Sequence, residues 1–109
     1  MLKNNNTTDI QIKTIPKEKC ESLTQARAQI DMIDQQLLEL IAARQFYVDQ
    51  AARFKRTVQA VQSPERVEQV LDKVRAQATA LDVDPALIEQ IYSAMIQHFI
   101  QRELKELRP

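Results

Sequence analysis

The sequence predicts an all-α protein with three helices per chain, one long, one short and one medium, forming an intertwined homodimer. Three observations carry this. The 109 residues include no glycine and few aromatics, while Ala, Leu, Gln, Arg and Glu are abundant, which is the composition of a helical bundle. The apolar residues recur at helical spacing rather than in strand alternation. Residues 22 to about 54 run without a glycine or proline, and at 1.5 Å of rise per residue they make a rod about 50 Å long. A compact globule of about 100 residues has a radius of gyration near 13 Å. Such a rod cannot hide its stripe within one small domain, so it must pack along a second copy.

In chain order, residues 1–19 are polar, with an Asn/Thr run and Pro16 near the end. They read as a flexible tail with at most a short extended piece at 10–15, leaving 20–109 as the helical domain. Ser22 opens the long helix, three residues before Gln25, the spacing at which side chains satisfy orphan amides reciprocally. Its stripe is Leu23, Ala26, Ile30, Ile33, Leu37, Leu40, Ile41, Val48, Ala51 and Ala52. The helix fades near 55–57, and the following RTVQAVQ has no strong period, so it reads as a loop. Ser63-Pro64-Glu65 restarts a helix with Ser as cap, Pro at the first position and an acid in the first turn. This short helix runs to about Ala80 with Val67, Val70, Leu71, Val74 and Ala78 inward. Asp84-Pro85 repeats the start signal, and the last helix carries Leu87, Ile88, Ile91, Met95, Ile96, Phe99, Ile100 and Leu104 to the C-terminus.

Composition also excludes function classes. Fifteen basic and fifteen acidic residues cancel, so no global field draws in nucleic acid or an anionic membrane. No apolar run approaches the ~18 residues of a membrane span, and the N-terminus lacks a signal peptide's apolar core. The single cysteine, Cys20, allows no internal disulfide framework. Together these place the expected protein in the cytoplasm. His98 has no second ligand at metal spacing, and without glycine there is no phosphate-cradling loop. No metal site is expected.

What remains is a set of cations on the apolar side. Arg44 and Lys55 stand eleven residues apart, close to three full turns, so on a continuous helix they project from one side with backbones about 16 Å apart. A small dianion fits between two such long side chains. Arg27 lies about 25 Å further up the rod and is rotated by about 100°. It cannot serve the same small site in cis, but an antiparallel partner's copy can. Arg66, in the first turn of the short helix, opposes the helix dipole, which points to some other use. Glu103 ends the apolar stripe of the last helix, and Phe99, one turn earlier, is a further candidate for substrate contact.

Four motifs, at these separations, resemble the small all-helical chorismate mutases and their relatives the isochorismate pyruvate lyases. They are A-R-x-x-I-D-x-I-D at 26–34, L-L-x-L-I-A-A-R at 37–44, Y-V-x-x-A-A-R-F-K at 47–55 and S-P-E-R at 63–66. The resemblance covers about residues 20–107. It implies an intertwined dimer of three-helix chains with two equivalent sites and no cofactor or covalent chemistry. It also implies that Arg44 and the partner's Arg27 bind the two substrate carboxylates. Lys55 would hold a carboxylate and the ether oxygen of the breaking bond, and Arg66 would face the site. A unimolecular rearrangement gains from confinement in the reactive conformer and from fixed cations where negative charge develops.

Two positions depart from the mutase pattern. Val67 stands where typical mutases carry a glutamate that binds the ring hydroxyl, and its S-P-E-R-V context resembles the lyases. Glu103 aligns with a glutamine that donates to the ether oxygen; a carboxylate donates only when protonated, so activity should rise towards acid pH. The expected function is chorismate mutase, with isochorismate pyruvate lyase as the alternative and a non-catalytic metabolite-binding dimer as the second alternative.

Overall fold

The computed structural model describes residues 14–107. Among these the chain is all-helical: α1 (Leu23–Ala52), α2 (Val58–Gln62), α3 (Pro64–Ala80) and α4 (Pro85–Glu106). The three main helices follow the expected long, short, medium order. Of the proposed extended piece at 10–15, residues 10–13 lie outside the described residues, and 14–15 form no regular structure.

The start of α1 is capped in both directions. Ser22 Oγ accepts from the Gln25 amide at 3.1 Å, and Gln25 Oε1 accepts from the Glu21 amide at 2.7 Å. Reciprocity is kept, but the return bond reaches one residue further out than in the standard capping box. The other end tightens rather than frays. The amides of Arg53, Phe54 and Lys55 each reach back three residues, to Gln50, Ala51 and Ala52, a 3₁₀-type closure that satisfies the last carbonyls.

The segment read as a loop contains a helix. Thr57 Oγ1 accepts from the Ala60 amide at 3.0 Å, and the Thr57 carbonyl accepts from Val61, so Thr57 caps α2. A five-residue helix is marginal by propensity. Here Val61, only 3% exposed, stabilises it by burial, a tertiary effect that RTVQAVQ does not display.

The described chain forms two compact units. In one, residues 63–98 contain α3 and most of α4. Ser63 precedes α3 in the left-handed region (φ 38°) and makes no side-chain capping bond, so it is not the cap its sequence suggested; Pro64 and Glu65 occupy the first turn as expected. Val74 and Ala78 are buried, and Val67, Val70 and Leu71 are half-buried, so the inward stripe of α3 is the one the spacing predicted. The helix ends in a Schellman motif: Val83 N–H bonds Ala78 O at 2.8 Å and Asp82 N–H bonds Thr79 O at 3.1 Å, with Asp82 at φ 63°. In a chain without glycine, Asp takes the left-handed position. Asp84 then caps α4 by accepting from Ala86 at 2.9 Å. Arg75 joins the two helices, donating to Glu89 at 2.8 Å and to Asp72 one turn back. These bonds, that to Glu89 foremost, push its pKa above the usual guanidinium value.

The second unit, 17–62 with 99–109, contains α1, α2 and the end of α4. Phe99, Ile100 and Glu103 are buried on α4. None of the 30 residues of α1 is buried.

Candidate functional site

The residues singled out in the sequence divide between the units. Arg27, Arg44, Lys55, Phe99 and Glu103 belong to the second; Arg66 and Val67 open α3 in the first. There Arg66 is exposed and Val67 half-buried.

In the second unit the structure joins two candidates directly. Lys55 Nζ donates to Glu103 Oε1 at 3.1 Å, across 48 residues of sequence. The Glu103 side chain is 9% exposed and that of Lys55 25%. A buried carboxylate has to be hydrogen-bonded or paired to be tolerated, and Lys55 is that partner. This burial shows that Glu103, at the end of its helix's apolar stripe, is not a frayed surface group. In this arrangement Glu103 accepts, whereas the donor role expected of it at the ether oxygen needs its protonated form.

Lys55 reaches Glu103 from outside the long helix. Because α1 ends at Ala52 and the 3₁₀-type turn follows, the three-full-turns argument that placed Lys55 and Arg44 on one side of a continuous rod does not hold over its last turn. A 3₁₀ turn advances by about 3.0 rather than 3.6 residues per revolution, which changes where the final side chain points. Arg44 itself is half-buried within α1. Arg27, on the first turns of α1, is exposed.

Sequence reasoning missed three residues beside this pair. Arg102 donates from Nη1 to Gln45 Oε1 at 3.2 Å, and from Nη2 to both carboxylate oxygens of Asp49 at 2.8 and 3.0 Å. Its guanidinium also lies 5.1 Å from the Phe99 ring centre, within cation–π range. Gln45 and Asp49 are four apart, hence on one face of α1, and that spacing was visible in the sequence. Their partner was not, because Arg102 is more than fifty residues away.

Among the described residues no group of three potential ligands is gathered for a metal ion, and no helix is long and apolar enough to cross a membrane. The pair and the neighbouring Arg102 offer two cations and a buried carboxylate that accepts from one of them. That chemistry suits binding and polarising an anionic substrate, with no nucleophile involved.

Comparison with known proteins agrees with the motifs. The chain is 31% identical over 91 residues to the isochorismate pyruvate lyase of Pseudomonas aeruginosa, an alignment covering 84% of this chain and 90% of that protein. The family model described as Chorismate mutase type II matches residues 26–104. With its motifs, its helix order and a match over most of its length, the chain belongs to the type II chorismate mutase family.

Proposed function

We propose that the protein is a pericyclic enzyme acting on chorismate or isochorismate, and that it works as a dimer. The observation that carries the catalytic reading is the Lys55–Glu103 pair, a cation held against a buried carboxylate in a chain of an enzyme family. In this reading Arg44 and the partner's Arg27 hold the two carboxylates, and Lys55 stabilises the negative charge that develops on the ether oxygen. Phe99 contributes an apolar wall, and a role for Arg66 rests on the family resemblance alone. Confinement of the flexible substrate supplies the rest of the rate gain.

Between the two reactions, rearrangement to prephenate is the expected one only as the commoner activity on this scaffold, while the local residues lean the other way. Two observations favour the second reading, cleavage of isochorismate to salicylate and pyruvate. Val67 is apolar where the mutase pattern has a hydroxyl-binding glutamate, and the relative similar over nine-tenths of its length is a lyase. Isochorismate cleavage is accordingly our preferred main activity, with prephenate formation the slower one.

Dimerisation is supported by α1. Leu23, Ile30, Ile33, Leu37 and Leu40 are all about half or more exposed in the single chain, a larger apolar face than a monomer sustains. A second copy laid along it would bury that face and bring Arg27 to the other chain's site.

The test is turnover of both substrates side by side. The expected result is salicylate and pyruvate from isochorismate, with prephenate formed more slowly. Efficient prephenate formation would instead assign the mutase reaction. A folded protein that turns over neither substrate would refute catalysis and leave a binding protein.

A further inference from the structure

The candidate site places its two working groups on segments that no helical hydrogen bond ties together. Lys55 sits beyond the end of α1, and Glu103 comes from α4, 48 residues later. Something must set the rotation of α4 against the end of α1, since the Lys55–Glu103 distance depends on it.

The geometry points to Arg102 as the positioning residue for this pair; the inference rests on the catalytic reading proposed above. Residues 102 and 103 are consecutive on α4, so their side chains leave the helix about 100° apart. Arg102 is held by Gln45 and Asp49 in the last turns of α1, and Glu103 by Lys55 just beyond it. Rotating α4 about its axis in either sense displaces both Arg102 and Glu103 from their partners. The two bridges therefore share a single angle. The Arg102 guanidinium also rests over Phe99, which lies one turn before both residues on the same side of α4. The wall residue and the carboxylate are thus set by one clamp.

The exposure of the clamp separates positioning from stability. The side chains of Arg102 and Asp49 are 35% and 47% exposed, and pairs of this kind add little to folding. Two acceptors one helical turn apart define an orientation that a lysine, with its compact point charge, would not reproduce.

The experiment compares wild type with Arg102→Met, which keeps the apolar stem, Arg102→Lys, and Asp49→Asn, which keeps an acceptor. Turnover is read per folded protein, alongside thermal unfolding. Arg102 touches no substrate in this scheme, so kcat should fall while KM holds. The expected loss is on the order of tenfold to a hundredfold, as for a misplacement of about 1 Å. Arg102→Lys should fail to restore it, and Asp49→Asn should lie between. Unchanged kcat in folded Arg102→Met and Asp49→Asn, or full rescue by Arg102→Lys, overturns the proposal. A second readout needs no activity: the coupling between Lys55→Met and Glu103→Gln in unfolding should vanish in an Arg102→Met background. Its persistence overturns the positioning role even if wild type turns over neither substrate, an outcome that by itself would refute only the catalytic reading.

Discussion

Removing either partner of the Lys55–Glu103 pair breaks the same 3.1 Å contact, yet the two losses should differ in size. In Lys55→Met the carboxylate remains at 9% exposure without its donor. Stranding one member of a fully buried ion pair costs about 3–5 kcal/mol, whereas exposed pairs are worth about 0–1 kcal/mol. With Lys55 a quarter exposed, the loss falls between these regimes, at about 2 kcal/mol. In Glu103→Gln the lysine keeps an amide oxygen as acceptor and its own access to water, so the cost stays below about 1 kcal/mol. For a domain of this size, each kcal/mol moves Tm by about 4–8 °C. Lys55→Met should therefore melt about 8–16 °C below wild type and Glu103→Gln less than about 8 °C below it. Circular dichroism melts at neutral pH and one fixed protein concentration measure this, because a dimer's Tm depends on concentration. A Glu103→Gln variant as unstable as Lys55→Met would refute the reasoning, since it would mean that the lysine, not the carboxylate, is the group that cannot be left alone.

Further tests address the site, the dimer and the backbone. Arg27→Ala and Arg44→Ala should each fold and lose on the order of a hundredfold or more in turnover. If Arg27 acts in trans, co-refolding the two variants should restore about a quarter of the sites, because a two-fold dimer of unlike chains regains one intact site; no recovery would place both residues in one chain's site. Val67→Glu should shift the product ratio from salicylate towards prephenate in a side-by-side assay, and an unchanged ratio would remove Val67 from the choice between reactions. Leu37→Glu, on the exposed face of α1, should be monomeric in sedimentation equilibrium where the wild type forms the proposed dimer, and a dimeric variant would exclude that face. Asp82→Gly should raise stability in a denaturant melt by up to about 1 kcal/mol, because the position is left-handed at φ 63° and glycine adopts it without the Cβ penalty.

The glutamate at 103 shows how a local pattern can leave two outcomes open. Its place at the end of an apolar stripe fits either a frayed surface group or a buried one, and the structure buries it against a lysine that no local rule connects to it. Ser63 shows the reverse case: the Ser-Pro-Glu signal located the start of α3 correctly, but the serine lies in the left-handed region without the capping bond that the signal implies.

What the sequence determined alone was what its own periodicity and caps control. The class, the order and the starts of the three main helices follow from uninterrupted helical spacing and from Ser22, Pro64, Asp84 and Pro85, because these signals act within one or two turns. Tertiary structure alone decided that Val61 supports a helix at 58–62, that Lys55 lies beyond the end of α1, that Glu103 is its partner and that Arg102 grips Asp49. Burial and pairing between residues about fifty apart depend on how elements pack, and no residue's neighbours in sequence record that.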